Sequence, residues 1–183
     1  MEKIILVKLK KYIKFLIFEL IDFFIKPSKN LKKKSILIIR LDAIGDYVLF
    51  RNFIKEIKNS NKYSNYSITL LGNIAWQEIS KKLDSQYVDK FIWVDRNKFN
   101  RELIYRYKKL QFITSNSYEI IISPVYSREF YTVDKIVKLI QALGGGLVFS
   151  IAKAIRIKKL SSIVGVDKIM ILMVLIARCL YES

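Results

Sequence analysis

The sequence predicts an α/β fold: a Rossmann-like parallel sheet with helices on both faces, preceded by an amphipathic N-terminal helix. Short apolar runs rich in β-branched residues recur along the chain, and segments with apolar residues at helical spacing separate them. Strands that alternate with helices form a parallel sheet covered on both faces. Because crossover connections are right-handed, we expect the strand order 3-2-1-4-5.

The 183 residues divide into three segments. Residues 1–34 form a basic helix and linker, residues 35–151 form the Rossmann-like domain, and residues 152–183 form a basic and then apolar helical tail. Nine consecutive apolar residues, 169–177, are too few to span a bilayer but too apolar all round for an exposed helix. We therefore expect residues 169–177 to be buried against the domain, a partner or lipid.

The N-terminal segment predicts one helix over residues 3–26, ended by Pro27. On a helical wheel one side collects apolar residues, namely Ile5, Leu9, Tyr12, Ile13, Leu16, Ile17, Leu20, Phe23 and Phe24. Its longest apolar run is four residues, far short of the roughly 18 to 20 that span a bilayer. The pattern is typical of a basic helix in the interface of an anionic membrane. The alternative is a helix whose apolar face packs on the domain.

Residues 27–34 predict a linker with four lysines, which would strengthen attraction to an anionic leaflet. The central domain then opens with a strand from Ser35 through Ile39 and continues, after a polar turn, into a helix that ends near Lys58. Later strands are predicted at 67–72, 87–94, 118–124 and 147–152, and later helices at 73–83, 97–114 and 133–143. Asn73 is a candidate helix cap, and Trp76 and Trp93 are predicted core residues.

The turn from Arg40 to Asp46 is the strongest candidate for a site, because open α/β sheets place ligands at the carboxyl ends of their strands. It has a single glycine, Gly45, and neither a G-x-G-x-x-G nor a Walker phosphate-binding pattern. Carboxylates at a helix start would repel a nucleotide phosphate and suit hydroxyl groups such as those of a sugar. The alternative for Asp46 is a helix N-cap. Arg40 could hold an anionic group of an acceptor or pair with Asp42 or Asp46.

Composition excludes several classes of chemistry. The chain has no histidine and one cysteine, Cys179, so it has no internal disulfide, no zinc site of the usual Cys/His kind and no Ser-His-Asp triad. We predict no metal site. The net charge of +17 fits an anionic membrane, an anionic substrate, nucleic acid or a bias of composition alone. The basic residues are scattered and no nucleic-acid motif is present, so we predict no specific nucleic-acid partner.

Residues 36–46, Ile-Leu-Ile-Ile-Arg-Leu-Asp-Ala-Ile-Gly-Asp, resemble the opening motif of the family-9 glycosyltransferases, the lipopolysaccharide heptosyltransferases. Three later features agree in order: an apolar strand that ends in Gly72, Val-Asp-Lys-Phe-Ile at 88–92, and Tyr-Glu-Ile-Ile-Ile-Ser-Pro at 118–124 with a Ser-Arg pair after it. The resemblance covers residues 35 to about 150. It implies one half of a twin-domain glycosyltransferase B-type fold, the half that binds the acceptor glycan.

The resemblance implies that Asp46 is the catalytic base that takes a proton from the acceptor hydroxyl. Arg40, Asp42 and Gly45 lie in the same turn, and Ser127 and Arg128 follow the fourth strand at the same edge, so these five residues are the candidates for binding the substrate. The alternatives are a structural role in the loop for Asp42 and an ordinary exposed loop for Ser127 and Arg128. The donor would be a nucleotide sugar, and no other cofactor is implied. No Gly-rich nucleotide-binding half follows in the sequence, so we expect a product truncated before the donor domain, with a separate donor-domain chain as a possible partner.

The expected function is transfer of a sugar to a cell-envelope glycan or lipopolysaccharide core. The expected location is cytoplasmic, peripheral on the inner face of the bacterial inner membrane, through residues 1–34. The alternative is a non-catalytic, membrane-associated remnant that binds a glycan or a partner and transfers nothing.

Overall fold

A five-stranded, all-parallel sheet forms the centre of the computed structural model, which describes residues 2–25, 28, 31–124 and 147–150. The order β3-β2-β1-β4-β5 confirms the predicted topology. The strands are β1 (Leu31–Arg40), β2 (Ser67–Asn73), β3 (Lys90–Val94), β4 (Ser117–Ser123) and β5 (Leu147–Ser150). The helices are α1 (Glu2–Phe23), α2 (Ile44–Asn59), α3 (Gln77–Asp84), α4 (Arg96–Phe99) and α5 (Leu103–Thr114), with a 3-10 turn at Ile74–Trp76 before α3.

Apolar side chains cover both faces of the sheet, as the continuous apolar run in β1 predicts. Side chains alternate along a strand, so Ile36 and Ile38 pack in one cluster with residues of α2 while Leu37 and Ile39 pack in another with residues of α5. All four side chains are at most 1% exposed. The helices therefore lie on both faces, which confirms the predicted Rossmann-like fold class.

The strand β1 begins earlier than predicted. Leu31 to Lys34, which the sequence assigned to a linker, extend β1 with exposed side chains. Lys34 has a φ of 52° and the pairing of β1 with β4 shifts register between Lys32 and Ile36. This irregularity lets Leu31 and Lys32 pair with the start of β4 while the lysines stay in water. The predicted linker is therefore shorter than residues 27–34.

The helix predicted over residues 97–114 is two helices. The Asp95 side chain caps α4 by accepting hydrogen bonds from the N–H groups of Asn97 (2.9 Å) and Lys98 (3.0 Å). α4 ends after one turn at Phe99, and α5 begins again at Leu103. The cap predicted at Asn73 exists, but on the 3-10 turn, where its side chain accepts from Ala75 N. The predicted helix 133–143 and the tail 152–183 lie outside the described residues.

A buried ion pair attaches α1 to the domain. Asp22 on α1 and Arg106 on α5 form a two-point contact, with Nε to Oδ1 at 3.0 Å and Nη2 to Oδ2 at 2.8 Å. The Arg106 guanidinium also lies over the rings of Phe18 (4.8 Å) and Phe99 (4.6 Å). Ile25 joins the core cluster just beyond α1. The side of α1 that packs on the domain is thus not its predicted apolar side. The members of that apolar side whose side chains the structure describes are exposed, namely Leu9, Ile13, Leu16, Ile17, Leu20, Phe23 and Phe24.

Two tryptophans pack around the end of β2. Trp76 is 1% exposed, stacks on Tyr47 with ring centroids 4.1 Å apart, and meets the half-buried Trp93 edge to face. Trp76 is therefore a core residue, as predicted. Both indole rings approach Gly72 so closely that an added Cβ would lie 2.5 Å from Trp76 and 2.6 Å from Trp93. Only glycine fits this position of β2.

We predict that Gly72→Ala destabilises the protein, because both indoles must move to admit the new methyl group. Overpacking of this kind lowers the free energy of unfolding by about 1–3 kcal/mol, which urea denaturation measures. The matched control is Gly45→Ala on α2, where nothing lies within 4 Å of an added Cβ. Alanine there leaves stability unchanged or raises it by up to about 1 kcal/mol. Equal effects at the two glycines would contradict the packing argument.

Asp89, in the Val-Asp-Lys-Phe-Ile segment, joins the starts of β2 and β3 to the end of α2. Its carboxylate accepts hydrogen bonds from Ile68 N (2.8 Å) and Lys58 Nζ (3.1 Å). Burial alone would raise the pKa of Asp89, but these two partners outweigh it, and the pKa lies below its ordinary value of 3.8. The residue thus has a structural role at the amino edge of the sheet.

A lowered folded-state pKa stabilises the protein above the unfolded pKa, and this stabilisation disappears as the pH falls through the folded pKa. We therefore predict that wild type is more stable than Asp89→Asn at neutral pH and that the difference shrinks below pH 3.8. Urea denaturation of both proteins across acid pH tests this. A difference that stays constant with pH would show that the Asp89 charge does not contribute.

Candidate functional site

Polar groups from several strands meet at the carboxyl edge of the sheet. β1 ends in Arg40 and leads through Asp42 into α2, β2 ends at Asn73, and β4 ends beside Pro124. These strands are adjacent in the sheet, so residues far apart in sequence become neighbours here. This is the edge at which the sequence places the candidate site.

Arg40 is the centre of this edge and is only 5% exposed. Its guanidinium forms an ion pair with Asp42 Oδ2 at 3.1 Å and donates to the backbone oxygens of Asp46 (2.6 Å) and Pro124 (3.2 Å). It also lies 5.0 Å from the ring centroid of Phe50. Of the two roles that the sequence left open for Arg40, the ion pair with Asp42 is present. Contact with an acceptor anion stays a prediction.

Burial dominates the electrostatics of the Arg40–Asp42 pair. Burial lowers the pKa of Arg40 although Asp42 and Asp46 both act to raise it. Burial likewise raises the pKa of Asp42 against the opposing effect of Arg40. Both groups shift toward their neutral forms, so desolvation outweighs the mutual attraction. The pair and its hydrogen bonds give the turn a defined geometry.

A second set of hydrogen bonds holds the Asp42 backbone from the side of β2. Trp76 Nε1 donates to Asp42 O at 3.1 Å, and Asn73 Nδ2 lies 3.4 Å from Leu41 O and 3.5 Å from Asp42 O. Sequence analysis missed this role, since it treated Asn73 as a cap and Trp76 as a core residue. The polar ends of both side chains therefore position the candidate turn.

Asp46 lies in the first turn of α2, and its side chain is exposed. Ala43, with extended backbone angles, is the N-cap, so the alternative that Asp46 caps the helix is wrong. Among the described residues, no side chain or backbone group forms a hydrogen bond or ion pair with the Asp46 carboxylate. Gly45 beside it is also exposed and faces open space. The carboxylate is therefore accessible to a ligand at the positive end of a helix.

Arg96, on α4 directly after β3, is a further cation near this edge. Its charge acts to lower the pKa of Asp42, although burial has the larger, opposite effect. Sequence analysis missed Arg96, and the signal that could have found it is its place just after a strand. The predicted substrate-binding residues Ser127 and Arg128 lie outside the described residues, and their role stays a prediction.

The described part of the chain holds no group of three or more His, Cys, Asp or Glu residues arranged to hold a metal ion. Within the same residues, no helix is both long and apolar enough to cross a membrane. Comparisons with protein-family models, curated proteins and solved structures found no match for this chain. The geometry of the carboxyl edge and the sequence are therefore the basis for assigning a function.

We predict strong coupling between Arg40 and Asp42. Either Arg40→Met or Asp42→Leu leaves a partly or fully buried charge without its ion-pair partner, and such single changes lower the free energy of unfolding by about 3–5 kcal/mol. The double variant removes both charges, so we expect it to be less destabilised than the sum of the singles by about 1–3 kcal/mol. Urea denaturation of the four proteins measures the cycle. Additive effects would mean that the two charges do not depend on each other.

Proposed function

We propose that this chain is the acceptor-binding half of a glycosyltransferase of the heptosyltransferase type. The observation that carries the proposal is the accessible Asp46 carboxylate, which has no partner among the described residues and stands at the carboxyl edge of a Rossmann-like sheet. The strand and turn that hold it contain the Gly-Asp motif of the resemblance. Acids without a phosphate-binding loop suit a hydroxyl-bearing acceptor.

Asp46 acts as the general base in the proposed reaction. Its carboxylate accepts the proton of an acceptor hydroxyl while that oxygen forms a bond to the anomeric carbon of the donor sugar. The bond between this carbon and the diphosphate oxygen breaks, and the nucleoside diphosphate leaves with the bonding electrons.

The neighbouring residues position the acceptor. Arg40 fixes the backbone of Asp46 through its 2.6 Å hydrogen bond, and the Arg40–Asp42 pair fixes the turn before it. At Gly45 the missing side chain leaves room beside the carboxylate. Ser127 and Arg128 would add contacts to the acceptor from the loop after β4. A second unit, which could be a separate chain, would bind the nucleotide-sugar donor.

The proposed place of action is the inner face of the bacterial inner membrane, where the chain would act as a peripheral protein. The acceptor would be a cell-envelope glycan or lipopolysaccharide core attached to lipid. The net charge of +17 supports this location, because anionic lipids attract basic proteins.

We predict that Asp46→Asn abolishes transfer while acceptor binding persists. The amide keeps the shape of the side chain but cannot accept the proton, so turnover falls by about 100-fold or more. The assay combines the chain with a separate chain that supplies the donor domain, a nucleotide-sugar donor and lipopolysaccharide core acceptor. Saturation-transfer NMR with the deacylated core measures binding separately.

The matched control is Glu56→Gln, an equivalent change at an exposed carboxylate on the same helix and away from the carboxyl edge. Glu56→Gln should transfer sugar at the wild-type rate. Normal turnover by folded Asp46→Asn would rule out Asp46 as the base. Core binding without transfer by wild type would overturn the enzyme proposal and favour the non-catalytic glycan-binding remnant.

A further inference from the structure

The side of α1 that faces away from the domain is apolar and exposed. Its side chains recur every three or four residues, as one face of a helix requires, and comprise Leu6, Leu9, Ile13, Leu16, Leu20 and Phe23. Each is at least 47% exposed, and Phe23 is 82% exposed. Monomeric proteins rarely leave so long an apolar stripe in water, so this face is a candidate docking surface.

The orientation of this face is fixed by the anchor on the other side of the helix. Phe18, Asp22 and Ile25 are each at most 5% exposed, and the spacing 18, 22, 25 places them on one side of the chain. Because the helix turns about 100° per residue, this side lies opposite the stripe defined above. The ion pair to Arg106 holds the anchor in place, so the stripe points outward.

The width and shape of the stripe favour a flat apolar surface over a second helix. Ile17 and Phe24, which are 40% and 60% exposed, widen it beyond the two positions per heptad that form a coiled-coil seam. From Leu6 to Phe23 the stripe extends about 26 Å along the helix. Such a broad face fits the interface of a bilayer, into which amphipathic helices insert their apolar side.

Charge selects the kind of bilayer. Residues 1–34 contain ten lysines and three acids. One of the acids, Asp22, is already paired with Arg106 and is buried. Residues 1–34 therefore carry a strong net positive charge. Each of their lysines that lies close to an anionic leaflet adds attraction to the membrane. A second copy of the same basic helix would instead be repelled.

We propose that α1 docks this protein on an anionic bilayer through its outward stripe, with the domain held above it by the Asp22–Arg106 pair. This stripe would be the surface that gives the protein the membrane location of the proposed function. The inference rests on the proposed function for that location alone. Vesicle binding is measured without sugar transfer, so the two proposals can fail separately.

The first test measures sedimentation of the full chain with phosphatidylcholine vesicles, with and without phosphatidylglycerol. We expect binding only with the anionic lipid and a loss of about tenfold or more in Leu16→Glu/Leu20→Glu, which places charges in the stripe. The control Leu49→Glu changes a residue that is 68% exposed on α2, across the sheet, and should bind as wild type. Circular dichroism confirms that each variant is folded.

Equal binding by wild type and Leu16→Glu/Leu20→Glu would overturn the proposal, as would equal binding to neutral vesicles. A dimer in wild type that the same double change dissociates, without vesicle binding, would assign the stripe to a second copy and also overturn it. Dye labelling in a Cys179→Ser background shows which side of α1 meets the bilayer. An environment-sensitive dye at Leu20→Cys should shift to the blue on vesicles, and a dye at Lys14→Cys, beside Phe18 on the anchored side, should not.

Discussion

The buried guanidinium of Arg40 is the interaction on which the carboxyl edge depends. It joins the end of β1 to Asp42, to the backbone of the first turn of α2 and to Pro124 after β4. Because desolvation outweighs its ion pair, the apolar packing on both faces of the sheet must offset its burial. The result is an acidic turn in which the Asp46 backbone is fixed while its carboxylate has no partner among the described residues. Such an arrangement preorganises a carboxylate without neutralising it.

The strands and their order followed from the sequence because burial on both faces leaves an unmistakable continuous apolar run. The sequence did not predict the features that depend on local backbone geometry. The lysines before Ser35 look like a linker, yet an irregularity at Lys34 carries them into β1. The break between α4 and α5 falls inside a sequence with helical spacing on both sides, and only the side-chain cap at Asp95 shows where the first helix starts. Local patterns specify which residues are buried more reliably than where a helix stops.

At the candidate site, the sequence places Arg40, Asp42 and Asp46 in one turn, as the structure does, but it does not indicate their partners. It left Arg40 with two possible roles, and the partners of its guanidinium include the Pro124 oxygen, 84 positions away. It assigned Trp76 to the core, although the same indole holds the Asp42 backbone with its N–H. A tryptophan combines a large apolar ring with one donor, so a core role and a positioning role are compatible. Long-range hydrogen bonds of this kind leave no periodic signal in the sequence.

The helix α1 shows why polarity alone does not identify an exposed face. On a helical wheel Asp22 belongs to the charged side, yet it is buried against the domain, because Arg106 neutralises the acid and Phe18 and Phe99 cover the guanidinium. The described apolar residues on the opposite side of α1 are left outward as a consequence. A helix held by its polar side can keep its apolar side for a second surface, whereas a helix held by its apolar side cannot. The buried ion pair therefore makes the attachment to the domain compatible with attachment to a membrane.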